Sequence, residues 1–159
     1  KEDAIGFGVT GPSGRASGFA SDVRKHEPYG VYDKTDFKEV LYTQGDVFHR
    51  YVARIDEMWE SMKIIEQIID NIPEGDFAAK MKPVLKLPAG DYFQSVETAR
   101  GHLGVYVISD GNKTPFRMRF RSPNFSNLFV LDHITAGNKI ADLVAINGSL
   151  DLVLPDIDR

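Results

Sequence analysis

Residues 46–71, DVFHRYVARIDEMWESMKIIEQIIDN, are the most regular stretch of the sequence. Apolar side chains recur there at three- and four-residue spacing, the period of an amphipathic α-helix. The stripe and its apolar neighbours are Phe48, Tyr51, Val52, Ile55, Met58, Trp59, Met62, Ile65 and Ile69. We predict a long helix over residues 44–72, ended by Pro73 and Gly75. At this spacing we expect the stripe to pack in a core, with charged residues such as Arg50, Arg54 and Glu57 on the opposite, solvated face.

The segments on either side of this helix predict the rest of the fold. Residues 1–35 are rich in Gly, Pro and Ser, and we expect an extended entry too irregular for a helix. Residues 92–121 carry β-branched and aromatic runs, which predict a small antiparallel sheet. Residues 122–159 predict helices, one of them over 136–147, followed by a C-terminal tail. The order predicts one α+β domain, dominated by helix, over residues 1–159.

Composition narrows the class of function. The 159 residues are 42% hydrophobic and carry a net charge of −4, so a packed core is expected and a general nucleic-acid binder is not. The absence of cysteine excludes disulfides, thiolate zinc and iron–sulfur ligation by this chain. No apolar run approaches the length of a membrane span. The four histidines share no ligand spacing, so we expect no metal site.

Several motifs occur in order along the whole chain. They are TGPSGRASG at 10–18, DVRKHEPY at 22–29, GDVFHRYVARIDEM at 45–58, ETARGHLGVYVISDG at 97–111, RMRFRSPNF at 117–125 and DLVAINGSLD at 142–151. These segments resemble the motifs of the D subunit of the proton-pumping NADH:quinone oxidoreductase, respiratory complex I. The third departs from the family pattern at Asp56, where a glutamate is usual. Six spaced motifs in the right order make the resemblance specific.

The tail, SLDLVLPDIDR at 149–159, carries the same resemblance. The large subunit of nickel–iron hydrogenases ends in S-x-D-P-C-x-x-C-x-x-H, in which two thiolates hold the metal. On that pattern Val153 and Asp156 occupy the cysteine positions and Arg159 the histidine position. Without thiolates the tail holds neither nickel nor an iron–sulfur cluster. A tail that has lost its ligands in this way is typical of the D subunit.

The resemblance implies a fold and a place in the enzyme. The fold would be the C-terminal portion of the hydrogenase large-subunit type, from a longer D subunit or a fused C/D chain. Together with the B subunit, the D subunit forms the chamber where quinone is reduced. The family's quinone-contacting His and Tyr are expected upstream of Lys1, so we expect the fragment alone to be inactive.

Site residues follow from the resemblance as well. Asp151 is expected to be a buried carboxylate that accepts hydrogen bonds or takes part in proton transfer. An apolar surrounding would raise its pKa unless it were paired. Val153 would shape the quinone cavity, Asp156 would join a charged network, and Arg159 would pair internally or with an acid of the B subunit. No residue here is expected to be catalytic or to bind metal.

The resemblance also implies cofactors, partners and a location. NADH, FMN and iron–sulfur clusters would lie in other subunits, and quinone would be the substrate of the complex. The expected partners are the B and C subunits and the quinone-site subunit of the membrane arm, with no nucleic acid and no membrane span. The chain would lie peripherally at the cytoplasmic face of the inner membrane. The alternative is a purely structural module that serves the assembly of the complex.

Overall fold

The computed structural model describes residues 1–81 and 83–158. Helices and a small antiparallel sheet follow one another along the chain, so the predicted α+β class is confirmed. The elements are α1 Glu2–Gly6, α2 Gly11–Arg15, α3 Val23–His26, a 3-10 turn Tyr32–Lys34, α4 Val47–Ile69, β1 Gly90–Thr98, β2 Gly101–Ser109, β3 Arg117–Arg121, α5 Pro123–Thr135, α6 Asp142–Leu150 and α7 Leu154–Ile157.

The Gly-rich entry contains helical turns. The prediction that residues 1–35 are too irregular for a helix was wrong, because α1, α2 and α3 all lie within them. Pro12 lies at the start of α2, where the N–H group that proline lacks has no helical partner to lose. Asp22 caps α3 by accepting a hydrogen bond from the Arg24 N–H at 3.0 Å. Short helices can therefore form within this Gly-rich segment.

Helix α4 turns its charged face inwards. It begins after Asp46, whose carboxylate accepts the His49 N–H at 2.7 Å, and ends at Ile69, three residues inside the predicted limit at each end. Arg50, Ala53 and Ile64 are buried. Phe48 and Trp59 are 64% and 60% exposed. The prediction that the apolar stripe packs in the core of this chain was therefore wrong.

The surface beneath α4 explains this orientation. Arg50 Nε donates to Ser149 Oγ at 2.8 Å, and Arg50 Nη1 donates to the Gly45 carbonyl at 2.7 Å. Arg54 Nη2 reaches Ser13 Oγ at 3.4 Å. Because the body of the chain offers acceptors to the long helix, the guanidinium face packs against it and the apolar face remains outside.

The sheet is a three-stranded meander in the order β1-β2-β3. A two-residue turn at Ala99 and Arg100 joins β1 to β2, with Thr98 paired to Gly101. The N-terminus of α2 packs on this turn. Gly11 has φ +69°, and a Cβ there would lie 2.4 Å from the Arg100 carbonyl oxygen. Glycine at this position allows the two backbones to approach each other. This contact fixes the position of the Arg100 main chain, from which its side chain extends.

Helix α6 differs from its prediction at both ends. It begins at Asp142 rather than 136, and Gly148, predicted to end it, lies in its last turn. Asp151 supplies the C-cap in the left-handed conformation, with φ 54° and ψ 50°, which glycine usually adopts. Asp is one of the few residues that reach this conformation at modest cost, so the helix ends on the residue that the sequence assigned to the site.

The apolar core is small. Ala4, Val9, Val130 and Leu150 are buried together, and Leu131, Ile134 and Leu152 pack against them. The accessible surface is 10863 Å² for 17.8 kDa. A compact monomer of this mass would expose about 8,000 Å². The excess surface includes the outer face of α4.

We predict that Gly11→Ala lowers the free energy of unfolding by roughly 2–4 kcal/mol, because a side chain at φ +69° would also collide with the Arg100 carbonyl. Gly30→Ala is the matched control, since Gly30 has a similar φ of +61° but open space where a Cβ would lie. Chemical denaturation of both variants gives the comparison. Equal losses in the two would show that backbone strain alone, and not the contact, requires glycine at position 11.

Candidate functional site

Arg15 is a buried guanidinium at the meeting point of α2, α4 and the sheet. Its side chain is 1% exposed, its Nε lies 2.7 Å from Glu57 Oε1 and its Nη1 lies 2.7 Å from Glu97 Oε1. Hydrogen bonds of this length between ionised groups are among the stronger ones in proteins. Glu57 belongs to α4 and Glu97 to β1, so one side chain joins three elements.

Burial and charge act against each other in this cluster. Burial alone would lower the pKa of Arg15, but the hydrogen bonds and charges of Glu57 and Glu97 outweigh it and raise that pKa. For Glu97, burial raises the pKa more than the charge and hydrogen bond of Arg15 lower it, and the negative charge of Asp22 raises it further. Glu97 therefore holds a proton at higher pH than an ordinary glutamate does.

A second ion pair, between Arg24 and Asp22, lies beside this cluster at α3. Arg24 donates from Nε and Nη2 to the two carboxylate oxygens of Asp22, at 2.9 and 2.7 Å. Asp22 is buried, and burial alone would raise its pKa; the hydrogen bonds and charge of Arg24 outweigh burial and lower it. The Arg24 guanidinium also lies 4.9 Å from the centre of the Phe37 ring, within range of a cation–π contact.

The predicted site residue Asp151 lies beside two further arginines. Arg100 Nη2 donates to Asp151 Oδ1 at 3.1 Å, and Arg100 Nε lies 3.1 Å from Oδ2. Arg54 Nε lies 3.8 Å from the same Oδ2. The Asp151 side chain is 40% exposed. The expectation of a buried carboxylate was wrong, because Asp151 is half-exposed, and it is paired with guanidinium groups.

A cavity of about 370 Å³ connects Asp151 to the Arg15 cluster. Its charged lining consists of Arg15, Arg24, Arg54, Glu57, Glu97 and Asp151. The charges balance, three cations against three carboxylates. Such a lining can hold water or polar groups, and it can stabilise charge of either sign that develops beside it.

Val153 and Asp156 border a second cavity, of about 310 Å³, which Arg100 also lines. The Val153 N–H donates to Asn124 Oδ1 at 3.2 Å, and Asn124 Nδ2 donates to Asp156 at 2.6 Å. Ser122 Oγ also hydrogen-bonds to Asp156. The tail is thus anchored to the start of α5, and Thr98 and Ala99 line both cavities.

Three of the four predicted site residues, Asp151, Val153 and Asp156, border this pair of cavities. The fourth, Arg159, lies outside the described residues. Sequence reasoning missed Arg15, Arg54, Glu57, Glu97 and Arg100 as members of the site. All five lie within the quoted motifs, so the motifs contained the signal, although nothing in them indicated that these residues would meet.

The described part of the chain offers neither a metal-ligand cluster nor a membrane span. Residues 1–81 and 83–158 contain no group of three or more histidine or acidic side chains arranged to hold a metal ion. No helix in the same ranges is long and apolar enough to cross a membrane.

The fold and site define an α+β protein whose C-terminal tail is tied by ion pairs to Arg54 and Arg100, beside a buried charged cluster. Two overlapping matches, over residues 1–86 and 76–159, link the sequence to the family "Respiratory-chain NADH dehydrogenase, 49 Kd subunit". The chain belongs to this family, and the predicted resemblance is confirmed.

Three relatives illustrate the similarity. The chain is 58% identical to the C/D subunit of NADH-quinone oxidoreductase from Bacteroides fragilis over 159 residues, 100% of this chain and 30% of that protein. It is 49% identical to the D subunit of NADH-quinone oxidoreductase from Desulfotalea psychrophila, over 96% of this chain and 41% of the relative. For the D subunit from Clostridium beijerinckii the identity is 44%, over 99% and 43%. The chain thus spans less than half the length of each.

We predict that Arg15→Met lowers the free energy of unfolding by roughly 3–5 kcal/mol, because it leaves the Glu57 and Glu97 carboxylates facing each other without a cation. Arg15→Lys keeps the charge but contacts one carboxylate well rather than two, so a smaller loss is expected. Urea denaturation measures both. Equal losses for Met and Lys would contradict the central role of the positive charge.

The lowered pKa of Asp22 predicts that the protein becomes less stable at acid pH. Because that pKa is lowered on folding, ionised Asp22 stabilises the protein above its unfolded pKa, about 4, and the contribution disappears as pH falls through the folded pKa. Asp22→Asn should cost roughly 1.5–3 kcal/mol at pH 7, and the difference from the native protein should shrink below about pH 4. A difference that stays constant between neutral and acid pH would contradict the assignment.

Proposed function

We propose that this chain forms part of the wall of the quinone-reduction cavity in an NADH:quinone oxidoreductase, coupling NADH oxidation to quinone reduction and proton translocation. The observation that carries the proposal is the arrangement of Asp151 between Arg54 and Arg100 at the mouth of a charged cavity. The names of the relatives, which are C/D and D subunits of NADH-quinone oxidoreductases, support the same activity.

The chemistry of quinone reduction fits these side chains. Reduction adds two electrons and two protons, and negative charge develops on the quinone oxygens. Guanidinium groups held in place beforehand stabilise such charge, and Arg54 and Arg100 are both held by hydrogen bonds to neighbouring backbone carbonyls. Asp151, half-exposed beside them, holds the two guanidinium groups by ion pairing.

The remaining tail residues would shape the cavity. Val153 presents an apolar surface to the second cavity, and Asp156 fixes the tail to Ser122 and Asn124. Arg159 would pair with an acid at the interface with the B subunit. The proposal assigns no catalytic residue to this chain, because these residues position and tune a substrate that other parts of the same polypeptide also contact.

The rest of the enzyme would supply the redox groups. We propose that NADH, FMN and the iron–sulfur clusters bind to other subunits, and that this chain contacts the B and C subunits and the quinone-site subunit of the membrane arm. Its position would be peripheral, on the cytoplasmic face of the inner membrane. The competing hypothesis, a purely structural assembly module, would assign the charged cluster to stability alone.

We predict that Asp151→Asn in the assembled enzyme lowers quinone reductase activity at least tenfold, on the order of the loss of one positioned polar group in an active site. Electron transfer from NADH to an artificial acceptor such as hexacyanoferrate should be unchanged, and so should the amount of assembled complex. Asp158→Asn is the matched control, because Asp158 lies in the same tail and is exposed.

The outcomes separate the hypotheses. Loss of quinone reductase activity with normal assembly supports a cavity wall. Loss of the assembled complex would assign Asp151 to assembly. Full activity in a complex of normal composition would place the quinone elsewhere.

A further inference from the structure

Two asparagines one turn apart are buried on the same face of α5. Asn124 is 2% exposed and Asn127 is 1% exposed, and a spacing of three residues places both side chains on one side of the helix. Asparagine is mostly a surface residue and a weak helix former. Two of them buried near the start of α5 therefore indicate that their amides make specific contacts. We call Asn124 and Asn127 the α5 pair.

The α5 pair contacts the two segments that carry the ion pair of Arg100 and Asp151. Asn127 Nδ2 donates to the main-chain carbonyl of Arg100 at 3.3 Å. Asn124 Oδ1 accepts the Val153 N–H at 3.2 Å, two residues after Asp151. Arg100 Nε also donates to the main-chain carbonyl of Asp151 at 3.4 Å. The contacts thus form a closed loop through α5, the β1–β2 turn and the tail.

The ion pair alone is too weak to fix its own geometry. The side chains of Arg100 and Asp151 are 35% and 40% exposed. Ion pairs that solvent reaches contribute little, because water and salt screen the charges. The relative position of the two side chains therefore depends on their backbones. Close packing on Gly11 restricts the turn, and the α5 pair bonds both the turn and the tail to one helix.

The amide of Asn127 makes its contact with the turn at a cost. Within residues 1–81 and 83–158, Asn127 Oδ1 is buried and has no hydrogen-bond partner. A buried acceptor without a partner is unfavourable, so an apolar side chain of similar size would suit the folded helix about as well. Such a side chain would lack the donor to Arg100. We therefore expect Asn127→Leu to fold and to lose the contact with the turn.

We propose that the α5 pair positions Arg100 against Asp151 for quinone reduction. This inference rests on the proposed function, in which the Arg100 guanidinium stabilises charge that develops on the quinone oxygens. Asn127 is fully buried and acts through the Arg100 backbone, so it is a positioning residue. A misplaced guanidinium mainly weakens the transition state, and the loss falls on kcat rather than on the KM for quinone.

A double-mutant cycle in the assembled enzyme tests the inference. Asn127→Leu removes the donor, and Asn138→Leu is the matched control, because Asn138 is exposed and lies beyond the end of α5. Each substitution is also combined with Asp151→Asn. The measurements are kcat and KM for quinone, electron transfer from NADH to hexacyanoferrate, and the amount of assembled complex. Hydrogen exchange of the peptide that covers residues 98–102 reports on the turn without any quinone.

We expect Asn127→Leu to lower kcat about fivefold or more, with a KM within roughly twofold of the native value. Hexacyanoferrate reduction and assembly should be unchanged. In the Asp151→Asn background the same substitution should change kcat less than about twofold, because the ion pair that it positions is already lost. The turn should exchange roughly tenfold faster in Asn127→Leu and at the native rate in Asn138→Leu.

Other results would overturn the inference. Losses that multiply in the double variant would assign Asn127 to the general stability of the fold. A native kcat or native exchange of the turn in Asn127→Leu would show that the turn does not need this amide. If Asn127→Leu does not assemble, Asn127→Ala removes the same amide without adding bulk, and failure of both would assign Asn127 to folding. Full activity of Asp151→Asn, by contrast, would contradict the proposed function itself.

Discussion

The two-sided salt bridge of Arg15 is the interaction on which the rest of the structure depends. The guanidinium joins Glu57 of α4 to Glu97 of β1, and it is almost wholly removed from solvent. Removing two carboxylates and a cation from water is costly, and mutual pairing offsets this cost only when the geometry is good. The cluster therefore fixes which face of α4 points inwards, and it leaves the apolar face available for other contacts.

Ion pairs also hold the C-terminal tail in place. Arg100 projects from the β1–β2 turn, whose backbone is fixed by close contact with Gly11, and it binds Asp151 at the end of α6. Arg54 of α4 approaches the same carboxylate. Residues from the entry, the long helix, the sheet and the tail thus meet around one cavity. Because the apolar core of this chain is small, ion pairs define the geometry around the cavity.

Sequence reasoning reached the α+β class, the long helix and the position of the sheet, because the relevant patterns are local periodicities. It placed the apolar stripe of α4 inside, since amphipathic helices usually bury that face. The orientation depended on which surface the chain itself could offer to α4, and that surface is polar, with Ser13, Ser149 and Arg15. The same limit applies to Asp151: the motif located it, but its surroundings include Arg100, which comes from a distant turn.

Photoaffinity labelling of the assembled enzyme with an azido-quinone tests the central claim, that this chain forms a wall of the quinone cavity. Mass spectrometry of the labelled peptides locates the contact. The account predicts label within residues 97–100 or 151–156, which border the two cavities beside Arg100, and predicts that excess quinone suppresses it. Suppressible label confined to other subunits, or to parts of this chain remote from both cavities, would contradict the account.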